Sequence, residues 1–344
     1  MKRSHFISLL LLATAFTACS ERASQPDRET VDYYVGNPLG LPITPSADGT
    51  FAEISPNVKV YGAIFSAESC SYDEERGLIV VPNRGVPQNV RANDGWISLL
   101  NSDGSVHTAR WIGIQNPAAR DYLSPQLVLN EPFGSHITNG ILYLADRDGD
   151  TGPDDPGVGV IRMFDMRTGE PVGEVIVEGS PWLNDLAVAD DGTIYTTQSG
   201  DFGQDPDPDS WRVWKISPGG EVSIFLQNEP LHIPNGIDFD LYGNIVVVNF
   251  GNNEVMTFTP EGELLKTEYA VQPGGDGIAI MADGTKYVSS VTQGGISRIR
   301  DGEPAELIAE NIPNGASLCY DSGAHQLVVP MNPNNGLAFV PLDE

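Results

Sequence analysis

The stretch Asn235-Gly236-Ile237-Asp238-Phe239-Asp240-Leu241-Tyr242-Gly243-Asn244-Ile245-Val246-Val247-Val248 decides the fold. It opens on an amide, runs through a short apolar alternation into a polar turn, and ends in a β-branched run that reads as a buried strand. The phrase returns at Asn184-Asp185-Leu186 through Asp190-Asp191-Gly192-Thr193, and at Asp276-Gly277-Ile278 through Ala282-Asp283-Gly284-Thr285. A further copy begins at Asn314-Gly315-Ala316 and turns at Asp321-Ser322-Gly323. Copies spaced roughly 40 to 50 residues apart are the mark of a repeat architecture. Two degenerate copies precede them, Glu68-Ser69-Cys70 before Arg76-Gly77 and His136-Ile137 before Asn139-Gly140. Each copy is followed by a third apolar strand, and most by a fourth. The expected fold is therefore all-β, a six-bladed β-propeller spanning residues 57–344. No fourth strand follows Leu342, so a strand within 58–65 is expected to complete the last blade and remove the open edge.

In such a ring the first residue of each phrase stands at one mouth of the central channel. The loops between second and third strands, at 83–94, 146–158, 198–210 and 330–335, return to that mouth, and the insertion 113–132 ends there as a candidate lid. Glu68, His136, Asn184, Asn235, Asp276 and Asn314 thus form the expected ring of heads. A single Asn-Gly is ordinarily just a turn, but four oxygen donors in register are a set of hard ligands suited to Ca²⁺ or another divalent cation. Zinc would call for more His or Cys.

The N-terminus reads as an export signal over residues 1–18, with Lys2 and Arg3 before the apolar run 6–12. Phe16-Thr17-Ala18-Cys19 is similar to a bacterial lipobox. Lipidation of Cys19, with residues 19–56 as a polar tether, places the protein on the cell envelope, facing the periplasm or in the outer membrane of a Gram-negative cell. An ordinary cleaved signal is the competing reading. The formal charge of −28 makes nucleic acid and anionic membrane surfaces poor partners. A monomer that meets the membrane only through its lipid is expected.

Over about 58–342 the phrases resemble the superfamily of senescence marker protein, gluconolactonase and luciferin-regenerating enzyme, with paraoxonase more distant. Ala67-Glu68-Ser69 resembles its metal-binding entry motif, Pro234-Asn235-Gly236 its fourth-blade Pro-Asn-Gly, Asp276-Gly277 its fifth-blade Asp-Gly, and Asn184-Asp185 its third-blade Asn-Asp. The resemblance implies Glu68, Asn235 and Asp276 as Ca²⁺ ligands, Asn184 as a ligand or substrate contact, and hydrolysis of a lactone or related ester. It also implies Asp276 as candidate base, with His136 and His232 as competitors because a metal-bound carboxylate is a weak base. Trp182 stands where sugar-lactonases of the family commonly carry Arg, which points to a more apolar or aromatic small-molecule substrate, with Asn314 as a further contact. The rival reading is a non-catalytic propeller that binds a ligand or protein with the same face, since fold does not fix function. Non-hydrolytic chemistry on a small molecule is a third.

Two other signals have plainer readings. Asp146, Asp148, Asp150, Asp154 and Asp155 lack the glycine a calcium loop needs and read as a solvated acidic loop. Cys70 and Cys319 lie at different offsets from Glu68 and Asn314, about three residues apart in height, which predicts two buried free thiols.

Overall fold

The computed structural model describes residues 59–61, 64–85, 93–113, 123–149, 154–200, 202–203, 205–332 and 334–343. The expected signal segment, Cys19 and the tether lie outside them. Six four-stranded antiparallel sheets form the blades of a β-propeller. The strand Lys59–Tyr61 pairs with Gly336–Pro341 and completes the sixth blade, so the ring is closed by the two ends of the fold. The inner strands are Ser71–Asp73, Ser135–Thr138, Leu186–Val188, Pro234–Phe239, Gly275–Ile280 and Cys319–Asp321.

Successive side chains on a strand point to opposite faces of its sheet, and every blade is covered on both faces by its neighbours. That is why the second strands read as unbroken apolar runs. In Leu78–Asn83, Leu78 and Val80 pack towards the second blade, whereas Ile79 and Val81 pack towards the sixth. The buried core is accordingly six apolar clusters, one at each seam.

Near the channel the blades converge until backbone meets backbone. A Cβ on Gly277 would lie 2.4 Å from Ser317 Cα, and one on Gly236 would lie 2.4 Å from the Asp276 carbonyl oxygen. The glycine of the repeated phrase is thus a spacing requirement between blades rather than a turn requirement. Gly277→Ala is expected to cost on the order of 3 kcal/mol, because the obstacle is backbone that cannot swing aside. An unchanged thermal midpoint in that variant would show that the seam can open freely.

The cysteines correct the sequence expectation. Cys70 and Cys319 form a disulfide with Cα atoms 5.5 Å apart. Ala67 bridges Asn83 in the first blade as Gly315 bridges Met331 in the sixth, so Glu68 corresponds to Ala316 and not to Asn314. Counted from the proper origin, the cysteines differ by one residue, not three. One residue is what facing blades require, since neighbouring positions on equivalent strands point to opposite sides. Both sulfurs accordingly enter the same seam between the first and last blades.

Within the acidic stretch Asp154 is exposed as expected and Asp150 lies outside the described residues, but Asp146 departs from a solvated loop. Asp146 is fully buried and accepts from the backbone N–H of Asn130 at 3.1 Å and of Glu131 at 2.7 Å, while Arg162 Nε donates to it at 2.6 Å. Asp148 pairs with the same guanidinium. Together they fix the end of the 113–132 insertion, whose Leu127 and Leu129 fill the core between the first two blades. Asp207, by contrast, only caps a short 3-10 turn, accepting from Asp209 N–H.

Candidate metal centre

In the fourth and fifth blades the register slips between Pro234 and Ile237 and between Gly275 and Ile278. Bulges of this kind re-aim a side chain and are frequent beside functional sites. Asn235 and Asp276 are the residues so displaced. Glu68 and Ala316 follow the corresponding bridges of the first and sixth blades. In the third blade Asn184 N–H bonds Thr197 O, and in the second Phe133 N–H bonds Ala145 O in the same pattern. The six equivalent heads are therefore Glu68, Phe133, Asn184, Asn235, Asp276 and Ala316. Four oxygen donors and two apolar residues line one mouth of the channel.

The oxygen donors are all buried, none more than 7 % exposed. Burial raises the Glu68 carboxyl above its usual range, opposed by the Arg84 charge and by an amide hydrogen from Asn332. Asp276 is raised well above the usual range, first by burial and then by the charges of Glu68 and Asp185, against which Asn235 and Arg84 act only in part. Asn184 donates an amide hydrogen to Ser199 Oγ at 3.0 Å, so its carbonyl oxygen is the atom that could serve a cation. Asn235 Oδ1 and Asp276 Oδ1 are buried and have no hydrogen-bond partner among the described residues. Two adjacent orphaned oxygens, one of them on a carboxylate that burial has made costly to ionise, fit a hard cation, because a cation would satisfy both at once. Among the described residues no three His, Cys, Asp or Glu gather in metal-binding geometry. The donor set is instead two carboxylates and two amides.

The remaining expected site residues fall into three places. Trp182 lies above the ring in an aromatic arc, its ring centroid 5.6 Å from Phe133 and 5.7 Å from Phe202, which in turn is 5.0 Å from Phe250. His232 stands on the same mouth, its backbone N–H bonded to Asn249 and its ring 5.1 Å from Trp211. Asn314 sits two residues before the sixth head, with a left-handed backbone at φ 50°, and its amide oxygen accepts from Asn334 on the rim. His136 does not hold the second-blade head. It lies three residues further along the inner strand, because Ser135 pairs with Leu144 and leaves Phe133 at the mouth.

His136 faces instead a cavity of about 450 Å³ at the far end of the channel, lined also by Asp185, Asp238, Ser317 and Tyr320. Burial holds the imidazole down at about 4, so it is neutral there. Asp185 and Asp238 are each pushed up to about 7, chiefly by burial. An unfolded carboxyl titrates near 3.9, so between about pH 4 and 7 the native state binds more protons than the unfolded one and stability falls as pH rises. Asp238→Asn is therefore expected to raise the thermal midpoint by a few degrees at pH 8 and to leave it unchanged near pH 4. Equal shifts at both pH values would show that the carboxylate is not strained by ionisation.

Three residues of the mouth escaped sequence reading: Arg84, Glu131 and Phe133. Arg84 begins the loop after the second strand of the first blade, and its guanidinium lies 3.8 Å from both Glu68 and Glu131 and 4.9 Å from the Phe133 ring. The chain has only 19 basic residues in 344, so a basic residue opening a mouth loop was the available signal.

With the ring and its closure established, comparison with solved structures gives a consistent result. A gluconolactonase from Xanthomonas campestris superposes with a TM-score of 0.56 at 17 % identity, covering 84 % of this chain and 91 % of its own. The fold is that of the gluconolactonase-like propellers. A luciferin-regenerating enzyme superposes with a TM-score of 0.55 at 11 % identity, covering 82 % of this chain and 92 % of its own. Virginiamycin B lyase from Staphylococcus aureus gives 0.56 at 12 % identity, covering 83 % and 99 %. No protein-family model matches the chain, and no curated protein matches it in sequence. At these identities the gluconolactonase-like propeller supplies the scaffold, and the chemistry has to be read from the mouth itself.

Proposed function

We propose that this gluconolactonase-like propeller is a Ca²⁺-dependent hydrolase of lactones or related esters. The observation that carries the reading is the pair of orphaned buried oxygens, Asn235 Oδ1 and Asp276 Oδ1, within a ring that also holds Glu68 and Asn184. Bound by these residues, a divalent cation supplies Lewis acidity to a carbonyl oxygen and offsets the charge of the oxyanion. The chain's own groups do the rest. Asp276 and His232 are the candidate groups on this mouth for taking a proton from attacking water. Phe133, Trp182, Phe202 and Phe250 form the apolar wall against which an aromatic or aliphatic acyl or alcohol part packs, shedding water from the reacting centre.

The full chain assayed on a panel of lactones and aryl esters, with calcium and with chelator, tests this reading. Turnover that chelator removes and calcium restores is the expected result. A protein that binds the cation yet turns over no ester or lactone would instead be a ligand-binding propeller. The Cys19 lipid anchor is part of the proposal, supported by the lipobox-like sequence before it. Fatty-acid labelling in cells that survives in Cys19→Ala would refute it.

A further inference from the structure

We propose that Arg84 is a specificity-determining residue that receives a carboxylate carried by the substrate, so that the preferred substrates are anionic esters or lactones with an apolar group. This rests on the hydrolase reading of the mouth. The hydrogen bonds of the guanidinium lie on one side only. Nε donates to Ser66 Oγ at 3.3 Å, and Nη2 donates to Ser66 Oγ and Asn332 Oδ1 at 3.2 Å each. Nη1 makes no hydrogen bond with a described residue: it forms longer ion pairs with Glu68 and Glu131, each 3.8 Å away and beyond donating distance.

The placement of that donor points to its use. Phe133 and Ala316 are the two heads without an oxygen, and Arg84 lies over the Phe133 ring at 4.9 Å. The cation thus stands where the ring offers no ligand, between the oxygen donors and the aromatic arc that begins at Phe133 and runs through Trp182. Its side chain is 14 % exposed, shielded from bulk water but not sealed from the mouth. Glu131, which faces it, has a second cation in Arg147, so Arg84 is not consumed in neutralising that carboxylate. A planar fork with one face tied to neutral oxygens and one donor open is pre-organised for a carboxylate. The substrate would then lie with its apolar part on the arc, its scissile carbonyl over the ring and its carboxylate against Nη1.

The test uses binding, so that it does not depend on turnover. N-phenylsuccinamic acid and N-phenylsuccinamide share an aromatic ring and a hydrolysis-resistant carbonyl, and differ only in a remote carboxylate against a neutral amide. Titrated calorimetrically into the calcium-loaded full chain, the acid is expected to bind about tenfold or more tightly than the amide. In Arg84→Gln the two should bind alike, and in Arg84→Lys part of the preference should return, with thermal midpoints reported for each variant to confirm folding. Equal affinities in the unmodified protein, absence of binding by both probes, or a preference that survives in Arg84→Gln would each overturn the assignment. The last result would give the carboxylate to the bound cation. An Arg84-dependent preference in a protein that hydrolyses no ester would sink the hydrolase reading while leaving the anion site standing.

Discussion

Asp276→Ala is expected to abolish calcium binding and to lower turnover of any ester or lactone substrate by about a thousandfold, the scale on which loss of oxyanion stabilisation is felt. Asp276 is one of two carboxylates among the four oxygen donors, and its Oδ1 has no hydrogen-bond partner among the described residues. Removing it takes away charge and a ligand together. The isosteric change separates these from a structural role. Burial and the neighbouring Glu68 and Asp185 charges raise the Asp276 carboxyl well above its usual range, so above that range its ionisation destabilises the cation-free native state. Asp276→Asn should therefore raise the thermal midpoint without calcium at pH 8 and lose the further rise that calcium confers on the unmodified protein. A residue kept for stability would show the opposite sign. A residue kept for a cation shows this one, with stability sacrificed at the site of function.

Loss of the Cys70–Cys319 disulfide is expected to be the largest stability effect outside the channel. The two residues are separated by 249 positions, so the cross-link ties nearly the whole propeller into one loop. Closing a loop of that length is worth about 5 kcal/mol on the chain-entropy account, and strain or residual structure lowers the figure. Cys70→Ser with Cys319→Ser should lower the midpoint by on the order of 10 °C for a domain of this size. Hydrogen exchange should locate the opening at the seam between the first and last blades. There the ring is otherwise held by apolar packing, by the pairing of Lys59–Tyr61 with Gly336–Pro341, and by hydrogen bonds such as Ser317 N–H to the Glu68 carbonyl at 3.0 Å and the Gln326 amide to the Ser102 carbonyl at 2.7 Å. A midpoint unchanged by the double substitution would mean that the non-covalent contacts of this seam close the ring without the cross-link.

The fold was legible because its repeat is written in local chemistry. The third apolar strand expected after each copy is found as Trp96–Leu100, Arg212–Ile216, Glu254–Phe258 and Ile296–Ile299 in the first, third, fourth and fifth blades. The heads Asn184, Asn235 and Asp276 were legible where the phrase is intact, and Glu68 in a degenerate copy; in the fourth and fifth blades the register slip that aims the head falls on the phrase itself. The head was not legible in the second and sixth blades. There His136 and Asn314 look like heads in sequence, but strand pairing puts Phe133 and Ala316 in those places. One misplaced origin at Asn314 carried into the cysteines, since a height difference counted from it hid a disulfide. Arg84, Glu131 and Phe133 reach the mouth through tertiary contacts, above all the Asp146 carboxylate that pins Asn130 and Glu131. Asp146 itself reads in sequence as one acid among several. Nothing in the spacing of such residues announces that they meet.

The most direct test is calorimetric titration of calcium into the metal-stripped full chain, beside Asp276→Asn and Glu68→Gln. The ring of Glu68, Asn184, Asn235 and Asp276 predicts one saturable site at that mouth, strongly weakened in both variants, with a thermal midpoint that rises with calcium only in the unmodified protein. Absence of a saturable site, or calcium binding and stabilisation that persist unchanged in both variants, would contradict the assignment of this ring as the metal centre.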